Sequence, residues 1–134
     1  MKEKEIIGKI VNALSEIEEA TTIAADDFTE ERNANMIVVG IESTTQVNVA
    51  LPDYQYRVSI VIDCFIDGDA DGEVFNDIHR NVRRIIDEYE HKDKPLDSLF
   101  EEIPVVGFFF ESEDRTLDDK SNRAVLYCNV IASF

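Results

Sequence analysis

The order helix, strand, strand occurs twice in this chain, and the two occurrences nearly fill its 134 residues. The first helix-period stretch places Ile6, Ile10, Leu14 and Ile17 on one stripe. Half a chain later, Val74, Ile78, Val82 and Ile85 repeat those spacings. The strand-period stretch Tyr56, Val58, Ile60, Ile62, Cys64, Ile66 has its counterpart in Ala124, Leu126, Cys128, Val130, Ala132, Phe134. An apolar helix stripe has to be covered, and a period-2 strand has one apolar face to cover it with. Two such helices cover only one face of a sheet, and hairpins with short turns favour antiparallel pairing. The predicted fold is therefore α+β: a four-stranded, mainly antiparallel sheet with two helices packed on one face, in the order αββαββ. Residues 1–134 form a single domain, a size that suits one core. Duplication and convergent packing would both leave this pattern, and the architecture is the same under either.

Along the chain, residues 3–19 read as an amphipathic helix with Gly8 inside it, and 21–35 as a connector with a helical turn started by Asp27 or Thr29. Met36–Glu42 and Tyr54–Ile66 read as strands, and Glu73–Glu90 as the second helix, capped by Asp71, with Val74, Phe75, Ile78, Val82, Ile85, Ile86 and Tyr89 inward. Leu96, Leu99 and Phe100 pin the next connector to the core. Val105–Glu113 and Asn122–Phe134 are the last strands, with a protruding polar loop between them. The helix-facing contacts are assigned to Ile60, Ile62, Cys64, Leu126, Cys128 and Val130.

The opposite sheet face is expected to carry Val61, Phe65, Val105, Phe109, Val125, Tyr127 and Ile131. Monomers rarely expose contiguous apolar patches beyond a few hundred Å². Either residues 21–35 fold back over this face or it is a subunit interface. The connector offers only Ile23 and Phe28 as large apolar groups, which favours an interface at Val61, Phe65, Val105, Phe109, Tyr127 and Ile131.

Chemistry is hard to find. Asp67-Gly68-Asp69-Ala70-Asp71-Gly72 matches the first half of a calcium loop, but Ile78 stands where the closing bidentate Glu belongs and a strand precedes the loop. No tight metal site is expected there; an acid-rich turn before a helix is the default. His79 and His91 have no Cys or second His at ligand spacing and no adjacent nucleophile. Arg80, Arg83 and Arg84 look basic, yet Arg83–Asp87 and Arg84–Glu88 are i,i+4 neighbours, which reads as a self-neutralised face. No catalytic, cofactor-binding or metal residues are assigned. Cys64 and Cys128 fall on the apolar phase of strands and read as buried free thiols in a reducing cytosol. The start MKEKEIIGKI lacks a secretory apolar core, and Ile103–Phe110 is far short of the ~20 residues of a membrane helix. With 29 acidic against 13 basic residues, the net charge of −16 disfavours binding to a nucleic-acid backbone. A surface that lets DNA pass without sticking would be acidic too, and halophilic adaptation or a basic partner are the rival readings of the same charge.

An N-terminal helix, a hairpin ending in VSIVIDCFIDGDADG, a helix NDIHRNVRRIIDEY and a second hairpin at the C-terminus resemble the tail-terminator (tail-completion) proteins of tailed bacteriophages, along with neighbouring neck proteins. The resemblance covers essentially the whole chain and rests on element order, length and style. It implies a non-catalytic virion protein of the tail or neck, assembled in the host cytoplasm. Its expected partners are copies of itself in a ring, usually hexameric, with tail-tube and head-connector proteins on either side and DNA passing through. The heterologous contact such a ring needs is one the second sheet face could supply. The alternative reading is a small cytosolic ligand-binding or regulatory α+β domain, calcium binding included.

Overall fold

The computed structural model describes residues 2–24, 35–48, 55–68, 72–117 and 121–133. Its elements in chain order are α1 (Lys2–Leu14), β1 (Thr21–Ala24), β2 (Met36–Asn48), β3 (Gln55–Asp67), α2 (Glu73–Glu90), α3 (Leu96–Phe100), β4 (Val105–Leu117) and β5 (Ser121–Ser133). They build a five-stranded mixed sheet in the order β1-β2-β3-β5-β4, with antiparallel pairing everywhere except between β1 and β2.

The expected helix-facing set is in place. Ile60, Ile62, Cys64, Leu126, Cys128 and Val130 are buried, and they join Ile6, Ile10 and Leu14 of α1 and Phe75, Ile78 and Ile86 of α2 in one core. The central β3–β5 pair is antiparallel and in unbroken register, with Ile60 opposite Cys128 and Ile62 opposite Leu126. Leu99 and Phe100 are buried as expected, but on the short helix α3. Phe100 meets Phe108 edge to face, with ring centroids 5.7 Å apart.

Four expectations need correction. The sheet has five strands, not four, because Thr21–Ala24 pairs parallel with Met36–Val39 and extends the sheet edge. Asn35 fixes that start: its carbonyl accepts from Thr21 N (3.1 Å), and its side-chain oxygen accepts from Asp67 N (3.1 Å) at the end of β3. Second, β2 and β4 each run 13 residues, through stretches that read as loops. Third, α1 stops at Leu14. Ser15 donates to Val11 O through both its N–H and its hydroxyl, and Ile17 N–H turns back to Leu14 O, which still buries Ile17. Fourth, Gly72, not Asp71, holds the N-cap of α2 at φ 73°, and Val74 points outward, 37% exposed. The helical turn expected at Asp27 or Thr29 and the acidic residues Asp69 and Asp71 lie outside the described residues.

Candidate assembly interface

Cross-strand partners share a sheet face, so the register assigns every side chain to one side. On the face away from the helices, Val61 lies opposite Tyr127, Asp63 opposite Val125, Phe65 opposite Arg123 and Arg57 opposite Ile131. Phe109 lies opposite Asn129, Gly107 opposite Ile131, and Val38 opposite Asp63. Five of the six residues proposed from sequence are thus brought together: Val61, Phe65, Phe109, Tyr127 and Ile131, with Val125 among them. Val61 is already buried within the chain, while the other four and Val125 are half-buried. None of the three helices packs on this side.

Val105 does not belong to this set. It pairs with Ala132, is 8% exposed and joins the helix-side core. The reason is a bulge: Val106 is an extra residue between Val105 and Gly107, and one inserted residue inverts the facing of everything before it. Val106 itself is 59% exposed.

The centre of the face is polar. Asp63, 1% exposed, takes two hydrogen bonds from the Arg123 guanidinium, from Nε to Oδ1 at 2.9 Å and from Nη2 to Oδ2 at 2.7 Å. The Asp63 hydrogen bond, outweighing partial burial, holds the Arg123 pKa above its ordinary value. Beside the pair, a shallow open depression of about 290 Å³ is lined by Glu42, Val61, Asp63, Arg123, Val125 and Tyr127. Ser59 Oγ donates to Asn129 Oδ1 (3.3 Å) further along. Alternation along β3 puts Asp63 off the helix-facing phase and does not reveal its burial. A single carboxylate inside the run VIDCF was the available signal that it is partnered.

On the helix side, His79 Nε2 lies 2.6 Å from Glu113 Oε2 and its ring stacks on Phe75, tying α2 to the β4–β5 ribbon. The arginines are self-neutralised as expected, with Arg83–Asp87 at 3.3 Å and Arg84–Glu88 at 2.8 Å, and Arg83 also covers the Phe110 ring at 3.5 Å. Asp87, Glu90 and His91 place one ligand-type atom each within 4.8 Å of one another. Both carboxylates are already engaged, Asp87 by Arg83 and Glu90 by the Phe110 N–H at 2.7 Å. This arrangement is a network that seats α2 on β4.

No protein-family model matches this chain, and no curated protein matches it. Among solved structures, it is similar to a chain from the virion of a native gene transfer agent particle. The two are 13% identical with a TM-score of 0.55, and the match covers 96% of this chain and 92% of that one. At that identity the likeness is one of fold, carried over nearly the full length of both chains.

Proposed function

We propose that this chain is a non-catalytic structural protein of a phage-like particle, forming a ring that terminates the tail tube and joins it to the head connector. The supporting observation is the fold shared end to end with a chain of a gene transfer agent virion. The tail-terminator role and the hexameric order come from the sequence resemblance, and with them the place in the virion neck. The face carrying Val61, Phe65, Phe109, Tyr127 and Ile131 suits burial against another subunit, since burying one large apolar side chain stabilises by roughly 1.5–3 kcal/mol. The charge of −16 suits a wall past which DNA moves. It also opposes assembly at low ionic strength, where subunits repel over tens of ångströms.

Light scattering across a salt series, with negative-stain electron microscopy of the largest species, tests this reading. Wild type is expected to form closed rings at high salt, while Phe109→Asp stays small with a native circular-dichroism spectrum. Wild type that remains monomeric at every salt and protein concentration would overturn it. Val105→Asp serves as the contrast: it strikes the core, so it should lower the melting temperature instead of acting on association alone.

A further inference from the structure

A closed ring requires each copy to offer two different surfaces that fit one another, and the two edges of this sheet have that relation. Among the described residues, β2 is paired on its outer side only from Met36 to Val39, by β1. Beyond that, Glu42–Val47 is exposed. At the other edge, the N–H groups of β4 are satisfied at two points: Val105 N–H by Ile103 O (2.8 Å) and Phe110 N–H by Glu90 Oε1 (2.7 Å). Val106–Phe109 lies between them.

The register places these two stretches at the same level of the sheet. Thr45, Arg57, Ile131 and Gly107 form one row across it, and Ser43, Ser59, Asn129 and Phe109 another. Each edge carries an apolar bulge residue at that level: Val47, 42% exposed, on β2 and Val106, 59% exposed, on β4. Edge strands in soluble proteins are ordinarily guarded by charge or proline. Here, in a chain that is 31% charged, both Ser43–Val47 and Val106–Phe109 are free of charge and of proline. Neutral edges are the places where two copies of −16 approach with least repulsion.

Strand direction agrees. Three successive antiparallel pairings make β4 run opposite to β2. A second copy set beside the first in the same orientation therefore presents its β2 antiparallel to β4. Below this level the strands have to part, because β1 of the incoming copy occupies the outer side of its β2. Each strand carries a second bulge there, at Glu42 and at Glu111, both exposed. Bulges bend a strand and like charges part, so both features act in the required direction.

We infer that neighbouring copies join head to tail by antiparallel pairing of Ser43–Val47 in β2 of one copy with Val106–Phe109 in β4 of the next. This rests on the ring reading and names the contact that closes it, with Phe109 at the seam. Disulfide trapping tests it, since Cys64 and Cys128 are buried and leave introduced thiols as the reactive ones. Val106→Cys is combined in turn with Ser43→Cys, Thr45→Cys and Val47→Cys, to allow for one row of stagger. Each is oxidised with copper phenanthroline at a salt concentration where wild type associates. At least one double variant should give a ladder past the dimer on a non-reducing gel, while each single variant stays monomeric. Absence of a ladder from all three, in samples that light scattering shows to be assembled, would overturn the edge pairing and leave the ring standing. Dimers from Val47→Cys alone would replace it with a two-fold β2–β2 contact. Failure of every variant and of wild type to associate at any salt would remove both.

Discussion

Cys64 and Cys128 sit on neighbouring strands of the helix-side face with essentially no exposure. Burial pushes both thiols up to about 12 from the ordinary 9.0, with Asp63 adding to the effect at Cys64 and Arg83 opposing it at Cys128. The folded state therefore keeps both protons where the unfolded chain has lost them. Their contribution to stability is complete below pH 9.0 and is lost as pH rises toward 12. Unfolding free energies from urea titrations at pH 8 and upward should fall with a slope approaching about 2.7 kcal/mol per pH unit for two protons. A Cys64→Ala, Cys128→Ala double variant should flatten that fall, and an unchanged slope would disprove the assignment. Asp63 and Arg123 are unequal partners. Arg123, 43% exposed at its side chain, can turn to water when the carboxylate is removed, but Asp63 cannot. Arg123→Met should thus cost about 2–3 kcal/mol and Asp63→Asn about 1 kcal/mol, the larger loss falling where a buried charge is stripped of its guanidinium. Equal losses in thermal denaturation would show that the pair is solvated as a unit.

Elements with a long, clean period were legible from sequence, and those without one were not. The whole of α2, Glu73–Glu90, was read at its true bounds because Phe75, Ile78, Val82, Ile85, Ile86 and Tyr89 hold one stripe. The strand β1 was missed, since four residues cannot display a period and its pairing depends on Asn35 and β2, which are distant in sequence. The extensions of β2 through STTQVN and of β4 through DRTL were missed for a different reason. Polar side chains there gain from partners on other elements, as Arg115 does from the Phe75 face at 5.4 Å. Which residues share the face away from the helices was legible to within one residue, and that residue, Val105, was lost to a bulge no periodicity can show. Two glycines make opposite predictions at this scale. Gly72 holds φ 73° at the start of α2, so Gly72→Ala should destabilise by about 1 kcal/mol. Gly8 lies in the exposed face of α1 with nothing within 4 Å of an added Cβ, so Gly8→Ala should stabilise by about 0.5–1 kcal/mol. Chemical denaturation of the two variants side by side decides the matter, and shifts of the same sign would contradict the backbone geometry.

At the scale of the whole molecule, the balance between matched ion pairs and surplus acids sets how salt acts on stability. Among the described residues, seven cationic side chains are already matched to acids, in Lys9–Glu101, Arg80–Asp77, Arg83–Asp87, Arg84–Glu16, Lys94–Glu88, Arg115–Glu113 and Arg123–Asp63. The excess of acids that makes up the −16 has too few cations to meet it. Added salt acts on both parts in opposite senses. It weakens exposed ion pairs, each worth about 0–1 kcal/mol. It also screens repulsion among the surplus carboxylates, which spans the molecule when the Debye length is about 30 Å at 0.01 M and shrinks to about 3 Å at 1 M. The repulsion involves many more pairs than the attraction, so screening should win. The melting temperature of the monomer should rise between low and high salt by about 3–5 °C, the shift that roughly 1 kcal/mol produces in a domain of this size. Association would also raise it, so the measurement belongs at a dilution where light scattering reports monomer throughout, repeated on Phe109→Asp to remove self-association altogether. A rise present in both proteins assigns the effect to the subunit's own field. A rise in wild type alone assigns it to assembly. A flat or falling melting temperature in both would mean that the acids are arranged so that the described ion pairs outweigh the surplus, and the argument for low-salt repulsion between subunits would fall with it.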